Sequence, residues 1–259
     1  MRKKIRDEMR GSHDAVIKWI VDVLEIGDIK PITGSIYYKD FMEACQRRHI
    51  LAHNGGIVNE QYISKCGEYK IPPSQLASKG AKVDMTPEYL RRVTGRAFIL
   101  GLFLIHMKVQ KISENDRIAS LESLLEVNHE FLVHEQTMMC VRVLDFAESR
   151  IDGVPANLRL CFAINRALAA LHDPKITEDE QTKAAKEVLA KYDWSVTTPV
   201  FDLALACVRR DFTNLLPLAR SAYSAGLGFI SASTFIVFKE ARKIEGFMDC
   251  FPKRPLQLS

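Results

Sequence analysis

Apolar residues recur at helical spacing through almost the whole chain. Val16, Ile17, Ile20, Val21 and Leu24 share one face of a segment running from Ser12, a capping residue, to about Glu25, and Gly27-Asp28 ends it. Pro31 and Gly34 punctuate the connection to a second predicted helix, from about Ser35 to His53, which Asn54-Gly55-Gly56 stops. A short helix near residues 59–65 precedes a polar loop through Pro72, Pro73 and Gly80. Thr86-Pro87-Glu88 then starts a long helix: a capping hydroxyl, a proline where the missing N–H costs nothing, and an acid beside the positive helix end. That helix runs to about Lys111 and is apolar on nearly every side between Ala97 and Ile105, which predicts burial in a core or in a subunit interface.

The polar stretch from Lys111 to Arg117 marks the expected boundary between a helical bundle over 1–112 and a second domain over 113–259. Beyond it the pattern predicts helices near 117–132, 134–151, 156–172, 178–191, 199–209, 212–223 and 232–243, with prolines and glycines at or near the breaks. Period-two alternation is absent apart from brief ambiguity at Ile57-Val58, so the expected fold class is all-α. No repeat of fixed period appears, yet the second half has the texture of stacked, repeat-like helix pairs, a scaffold or partner surface.

Composition narrows the picture. With 259 residues, 47% hydrophobic and 26% charged, the chain reads as an ordinary globular one. The apolar run from Ala97 to Ile105 is far short of the roughly 20 residues a membrane-spanning helix requires. Asp7 and Glu8 follow the basic Met1-Arg2-Lys3-Lys4 where a signal peptide needs its apolar segment, so no membrane partner and a cytoplasmic location are expected. The six cysteines are scattered without a CxxC pair, which predicts reduced core thiols and no structural zinc. Charge is uneven: 19 Lys/Arg face 12 Asp/Glu through Lys111, and 17 face 20 beyond it. A basic first half suggests an anionic partner, although solvated surface charge reads the same way.

The most informative stretch is Cys45-Gln-Arg-Arg48-His49-Ile-Leu-Ala-His53-Asn54-Gly55-Gly56. On a helix at about 100° per residue, Tyr38, Phe41, Met42, Cys45 and Ala52 form one apolar face with His49 in its middle. Arg48 and His53 flank that face, about 140° from each other, while Arg47 points away with Asp40 and Glu43 and reads as a solvated charge. An Arg and two His on an apolar face are unfavourable unless paired, hydrated or used. They line a groove between packed helices, meet copies from a second protomer, or satisfy the last carbonyls of their own helix.

The segment resembles the HEPN (higher eukaryotes and prokaryotes nucleotide-binding) superfamily, whose ribonuclease members carry an Arg, four to six residues, then a His. Arg48-His49-Ile50-Leu51-Ala52-His53 matches the four-residue spacing, with a polar residue after the Arg and Asn-Gly-Gly beyond the His. The resemblance covers roughly residues 12–112; a looser likeness to helical-repeat tails extends over Asp193-Trp194-Ser195, Phe201, Ala204, Arg210-Asp211-Phe212 and Phe235 to Phe247. It implies metal-independent cleavage of RNA to 2′,3′-cyclic phosphate and 5′-OH ends, without a cofactor. His53 would carry the proton transfer, Arg48 would bind phosphate and stabilise its developing charge, and His49 would position phosphate or share the proton. Asn54 would orient substrate or cap the helix. The resemblance further implies a two-fold homodimer, and a toxin or anti-phage setting with a cognate inhibitor or defence-system partner. The alternative is a non-catalytic helical adaptor binding RNA, nucleotide or a protein.

Other patterns are weaker. His129 and His134 bracket a near-zincin sequence but stand five apart, on different sides of a helix. Arg166 and His172 meet the loose Arg/His spacing in the acidic half, without the rest of the signature. Gly226-Leu-Gly228 lacks the strand–turn–helix context of a dinucleotide loop.

Overall fold

The computed structural model describes residues 13–28, 30–195 and 197–253. Among them are twelve α-helices and no strand, so the fold is all-α. The chain separates into two compact units, 1–120 and 121–259.

The first unit holds α1 (His13–Val23), a single turn α2 (Lys30–Thr33), α3 (Ile36–His53), α4 (Glu60–Glu68) and α5 (Pro87–Val109). Ser12, expected to cap α1, lies outside the described residues. Thr86 caps α5 as the pattern predicts, and Ser35, near the expected start of α3, caps that helix. The Ser35 hydroxyl accepts from the Tyr38 N–H at 3.2 Å, and Thr86 Oγ1 from the Tyr89 N–H at 3.2 Å with Pro87 following it. Two apolar cores hold the unit. One joins Ile17 and Val21 of α1 to Tyr38 and Met42 of α3 and to Leu100 and Leu104 of α5; the other joins Ile50 of α3 to Val58, Tyr62, Cys66, Ile71 and Val83. Helix α3 therefore contributes to both, and it packs along α5 between them.

Expected burial of α5 holds on one side only. Ile99, Leu100 and Leu104 are buried, whereas Leu90 is 45% and Ile105 59% exposed. The Ile57-Val58 ambiguity resolves into one isolated antiparallel bridge, Ile57 to Lys82, rather than a strand.

The division between units falls inside α6 (Glu114–Val133), after Ser120, rather than in the polar stretch before it. The second unit continues with α7 (Thr137–Glu148), α8 (Ala156–Leu171), α9 (Glu178–Leu189), α10 (Pro199–Arg209), α11 (Leu215–Ser224) and α12 (Phe229–Thr234). Consecutive pairs α8/α9 and α10/α11 pack together, with α8 also touching α7 and α10. Nine residues of α8 are buried, including Phe162, Ala163, Ala167 and Leu168, so it is the central element of this unit. The expected helix over 232–243 does not form. Phe235 leaves the helical region at φ −64°, ψ 127°, and short 3₁₀ turns follow at Ile236–Phe238, Ala241–Lys243 and Met248–Cys250. Those turns place Phe238, Phe247 and Phe251 in contact in the core, at 6.2 and 5.3 Å between ring centroids. Packing of large rings has overridden local helical spacing there.

The described cysteines are all unpaired thiols, four buried and two half-buried, as their apolar neighbours suggested. No described helix is long and apolar enough to cross a membrane.

Candidate functional site

Helix α3 ends at a turn built for a sharp stop. The N–H groups of Asn54 and Gly56 both donate to the Ile50 carbonyl, at 2.8 and 3.0 Å, and Asn54 Nδ2 donates to the Ile57 carbonyl at 2.6 Å. Gly56 sits at φ +79°, and a Cβ there would lie 2.9 Å from the Val83 carbonyl oxygen. Glycine is required on both counts. The chain beyond is latched to residues 81–83: Val58 N–H donates to the Ala81 carbonyl and Val83 N–H to the Gly56 carbonyl, each at 2.9 Å.

On the last turns of this helix Arg48, His49, Ala52 and His53 are all exposed, and Asn54 with them. The His49 and His53 rings stand 4.8 Å apart between centroids, tilted by 53°. Among the described residues, no hydrogen bond or ion pair engages either imidazole or the Arg48 guanidinium. The structure thus gathers Arg48, His49 and His53 on one solvent-facing patch, and commits the amide nitrogen of Asn54 to the turn.

The expected apolar face of α3 holds over Tyr38, Phe41, Met42 and Cys45, which are buried or half-buried, and fails at its end, where His49 and Ala52 are exposed. The opposite side, assigned to solvent, is buried as well: Asp40 and Glu43 are each 6% exposed, and Arg47 is half-buried. Glu43 is satisfied on both oxygens. Oε1 accepts from Arg47 Nε at 2.8 Å and from the Tyr62 hydroxyl at 2.6 Å, and Oε2 accepts from the Tyr89 hydroxyl at 2.6 Å. The Arg47 guanidinium lies 4.1 Å from the Tyr89 ring centroid and donates to the Asp84 carbonyl at 3.2 Å. Burial and then the Glu43 hydrogen bonds push both phenols well above their ordinary range, keeping them donors. Burial opposes the Arg47 charge, but the Glu43 hydrogen bond and charge more than restore it. One turn earlier, Asp40 pairs with Arg92 at 3.2 Å and with Arg96 of α5.

These residues reach no solvent-facing reaction centre, but they fasten the site-bearing helix to α4 and α5. Sequence reading missed them as a group. The Glu43/Arg47 spacing of four is a visible helical ion-pair signal. Tyr62 and Tyr89 come from separate helices and carry no local signal.

The second Arg/His match has a structural explanation. Arg166 donates to Glu148 at 3.0 and 2.8 Å and to Asp145 at 2.8 Å, so its charge is spent within α7 and α8. His172 is half-buried, its pKa lowered by burial and then by Lys239. His129 packs edge-on to Phe235, 5.8 Å away, while His134 is exposed. No described group of three or more His, Cys, Asp or Glu side chains is placed to hold a metal ion. Compared with protein families, curated proteins and solved structures, the chain matches none of them.

Proposed function

We propose that the chain is a metal-independent endoribonuclease of the HEPN type, with Arg48, His49 and His53 as its catalytic group. The observation that carries this reading is their joint exposure, without competing partners, at the end of a helix anchored on its opposite side. The Lys/Arg excess of the same half of the chain supports a polyanionic substrate.

In the proposed reaction His53 accepts the proton of a ribose 2′-OH, whose oxygen then bonds to the adjacent phosphorus. The P–O5′ bond breaks, and the departing oxygen takes a proton from His49, leaving a 2′,3′-cyclic phosphate and a 5′-OH. Imidazole suits both transfers because its protonation changes near neutral pH. Arg48 offers a planar fork of donors to the phosphate oxygens as charge builds on them. Asn54 keeps the turn and borders the substrate.

A second copy of the chain is the partner we assign to the exposed apolar positions of α5, Leu90 and Ile105, which lie within about 60° of each other on the helix. A cytoplasmic toxin or anti-phage effector, with a cognate inhibitor or defence-system partner, is the setting that goes with this reading. The same exposed residues favour the second reading, a non-catalytic helical adaptor that binds RNA, nucleotide or a protein.

Cleavage of end-labelled RNA in EDTA separates the two. The nuclease gives cyclic-phosphate ends with wild type and none with His53→Ala, while RNA affinity is retained. Equal cleavage by both proteins sinks the site, and cleavage by neither favours the adaptor.

A further inference from the structure

His49 and His53 stand at positions i and i+4 of a long helix, exposed, and without hydrogen-bond or ion-pair partners among the described residues. This spacing puts two side chains one turn apart on one face. Their ring centroids are 4.8 Å apart. Two imidazoles binding one zinc ion at about 2.0–2.1 Å, with roughly 90–110° between them at the metal, place their centroids about 4.5–5.2 Å apart. The observed centroid separation falls inside that window.

We propose that His49 and His53 form a two-ligand site for a borderline divalent ion, zinc first, whose remaining positions are filled by solvent. Imidazole is a ligand suited to zinc, copper and nickel, and rarely competes for magnesium or calcium, which prefer oxygen. Rival sites among the described residues are poorer. Burial pushes the Cys45 thiol up to about 11 and Cys66, Cys140 and Cys207 up to about 12, which disfavours these four as ligands near neutral pH. His134 has a single carboxylate neighbour, Glu130, at 3.8 Å. The adjacent Arg48 guanidinium opposes a second cation, which makes the site weak enough to release its ion to a chelator.

The consequence for activity rests on the ribonuclease reading. An ion seated on the pair uses the lone pair that His53 needs as a base and the nitrogen from which His49 donates, so zinc acts as an inhibitor and not as a cofactor. RNA cleavage that proceeds in EDTA is then suppressed as zinc is added and returns when EDTA is restored.

The test is a calorimetric titration of the full chain with zinc chloride in a non-coordinating buffer near neutral pH, alongside His49→Ala and His53→Ala. Both side chains are exposed, so both variants fold as wild type does, which circular dichroism checks. Wild type takes up one equivalent that either variant binds about tenfold or more weakly, because loss of one imidazole removes the intramolecular second contact. Equal uptake by all three proteins, or no uptake by wild type, overturns the site. If wild type cleaves RNA in EDTA and saturating zinc leaves the rate unchanged, the inhibitory consequence is overturned. If no cleavage occurs, the ribonuclease reading fails and the titration alone decides the metal site.

Discussion

Replacing Glu43 with Ala strands three donors at once, since Arg47, Tyr62 and Tyr89 share its two oxygens in a buried setting. Removing one member of such a group leaves the others desolvated and unpaired, and the expected loss is about 3 kcal/mol, read as a lowered urea midpoint. Arg47→Ala is expected to destabilise in the same direction, because the buried carboxylate then loses its counter-charge. Arg48→Ala, one residue on, removes an exposed side chain with no partner among the described residues, and stability should stay within about 0.5 kcal/mol of wild type while RNA cleavage is lost. The two adjacent arginines thereby separate a structural role from a proposed catalytic one in a single pair of variants. Sequence alone ranked them the other way for burial, because composition along a helix does not say which side meets a neighbour. An acid, a second acid one turn later and an arginine beyond it look solvated until a facing helix supplies Tyr89, Arg92 and Arg96.

At the level of elements, the placement of the site depends on how α3 stops. Gly55 and Gly56 both have positive φ, +57° and +79°, but a Cβ at Gly55 meets nothing, whereas one at Gly56 meets the Val83 carbonyl at 2.9 Å and Leu51 Cδ2 at 3.1 Å. Gly56→Ala should therefore lower the Tm clearly more than Gly55→Ala, and only the former should shift the latch to residues 81–83. Hydrogen exchange at the Val58 and Val83 amides, which donate across that latch, distinguishes the two variants. The opposite end of α3 is expected to behave independently: Ser35→Ala removes the cap on Tyr38 N–H and costs about 1 kcal/mol without displacing His53. Helix starts and stops such as these were legible in the residues, because caps, prolines and glycines act over three or four positions. The end of the chain was not. The pattern over 232–243 predicts a helix, but Phe238, Phe247 and Phe251 pack as a ring cluster among 3₁₀ turns, a preference set by what they touch.

Across the whole molecule, one buried and two half-buried histidines give stability an acid-sensitive component. Burial lowers the pKa of His106, whose Nδ1 lies 2.7 Å from Ser120 Oγ. Burial also lowers those of His129 and His172, opposed at His129 by the Glu130 charge and reinforced at His172 by Lys239. These rings stay neutral in the folded state at pH values where the unfolded chain has begun to protonate them. The unfolded state then binds more protons, so the stability they contribute is complete above about pH 6.5 and falls as the pH drops below it towards the folded-state values. The urea midpoint should decrease between pH 7.5 and 5.5, and His106→Gln should flatten part of that slope. A midpoint that holds or rises as the pH falls over the interval, or a slope that His106→Gln leaves unchanged, would overturn this account.

What the sequence determined by itself is everything that acts locally. The all-α class follows from helical periodicity, most helix boundaries from capping chemistry, and the position of Arg48, His49 and His53 at the end of one helix from spacing alone. The tertiary structure decided which part of that helix is free. An apolar core takes up Tyr38 and Met42 on one side and a buried carboxylate network takes up Asp40, Glu43 and Arg47 on the other, and only the last turns leave Arg48, His49 and His53 to solvent. Burial and side-chain pairing depend on partners far away in sequence, and no window along the chain contains them.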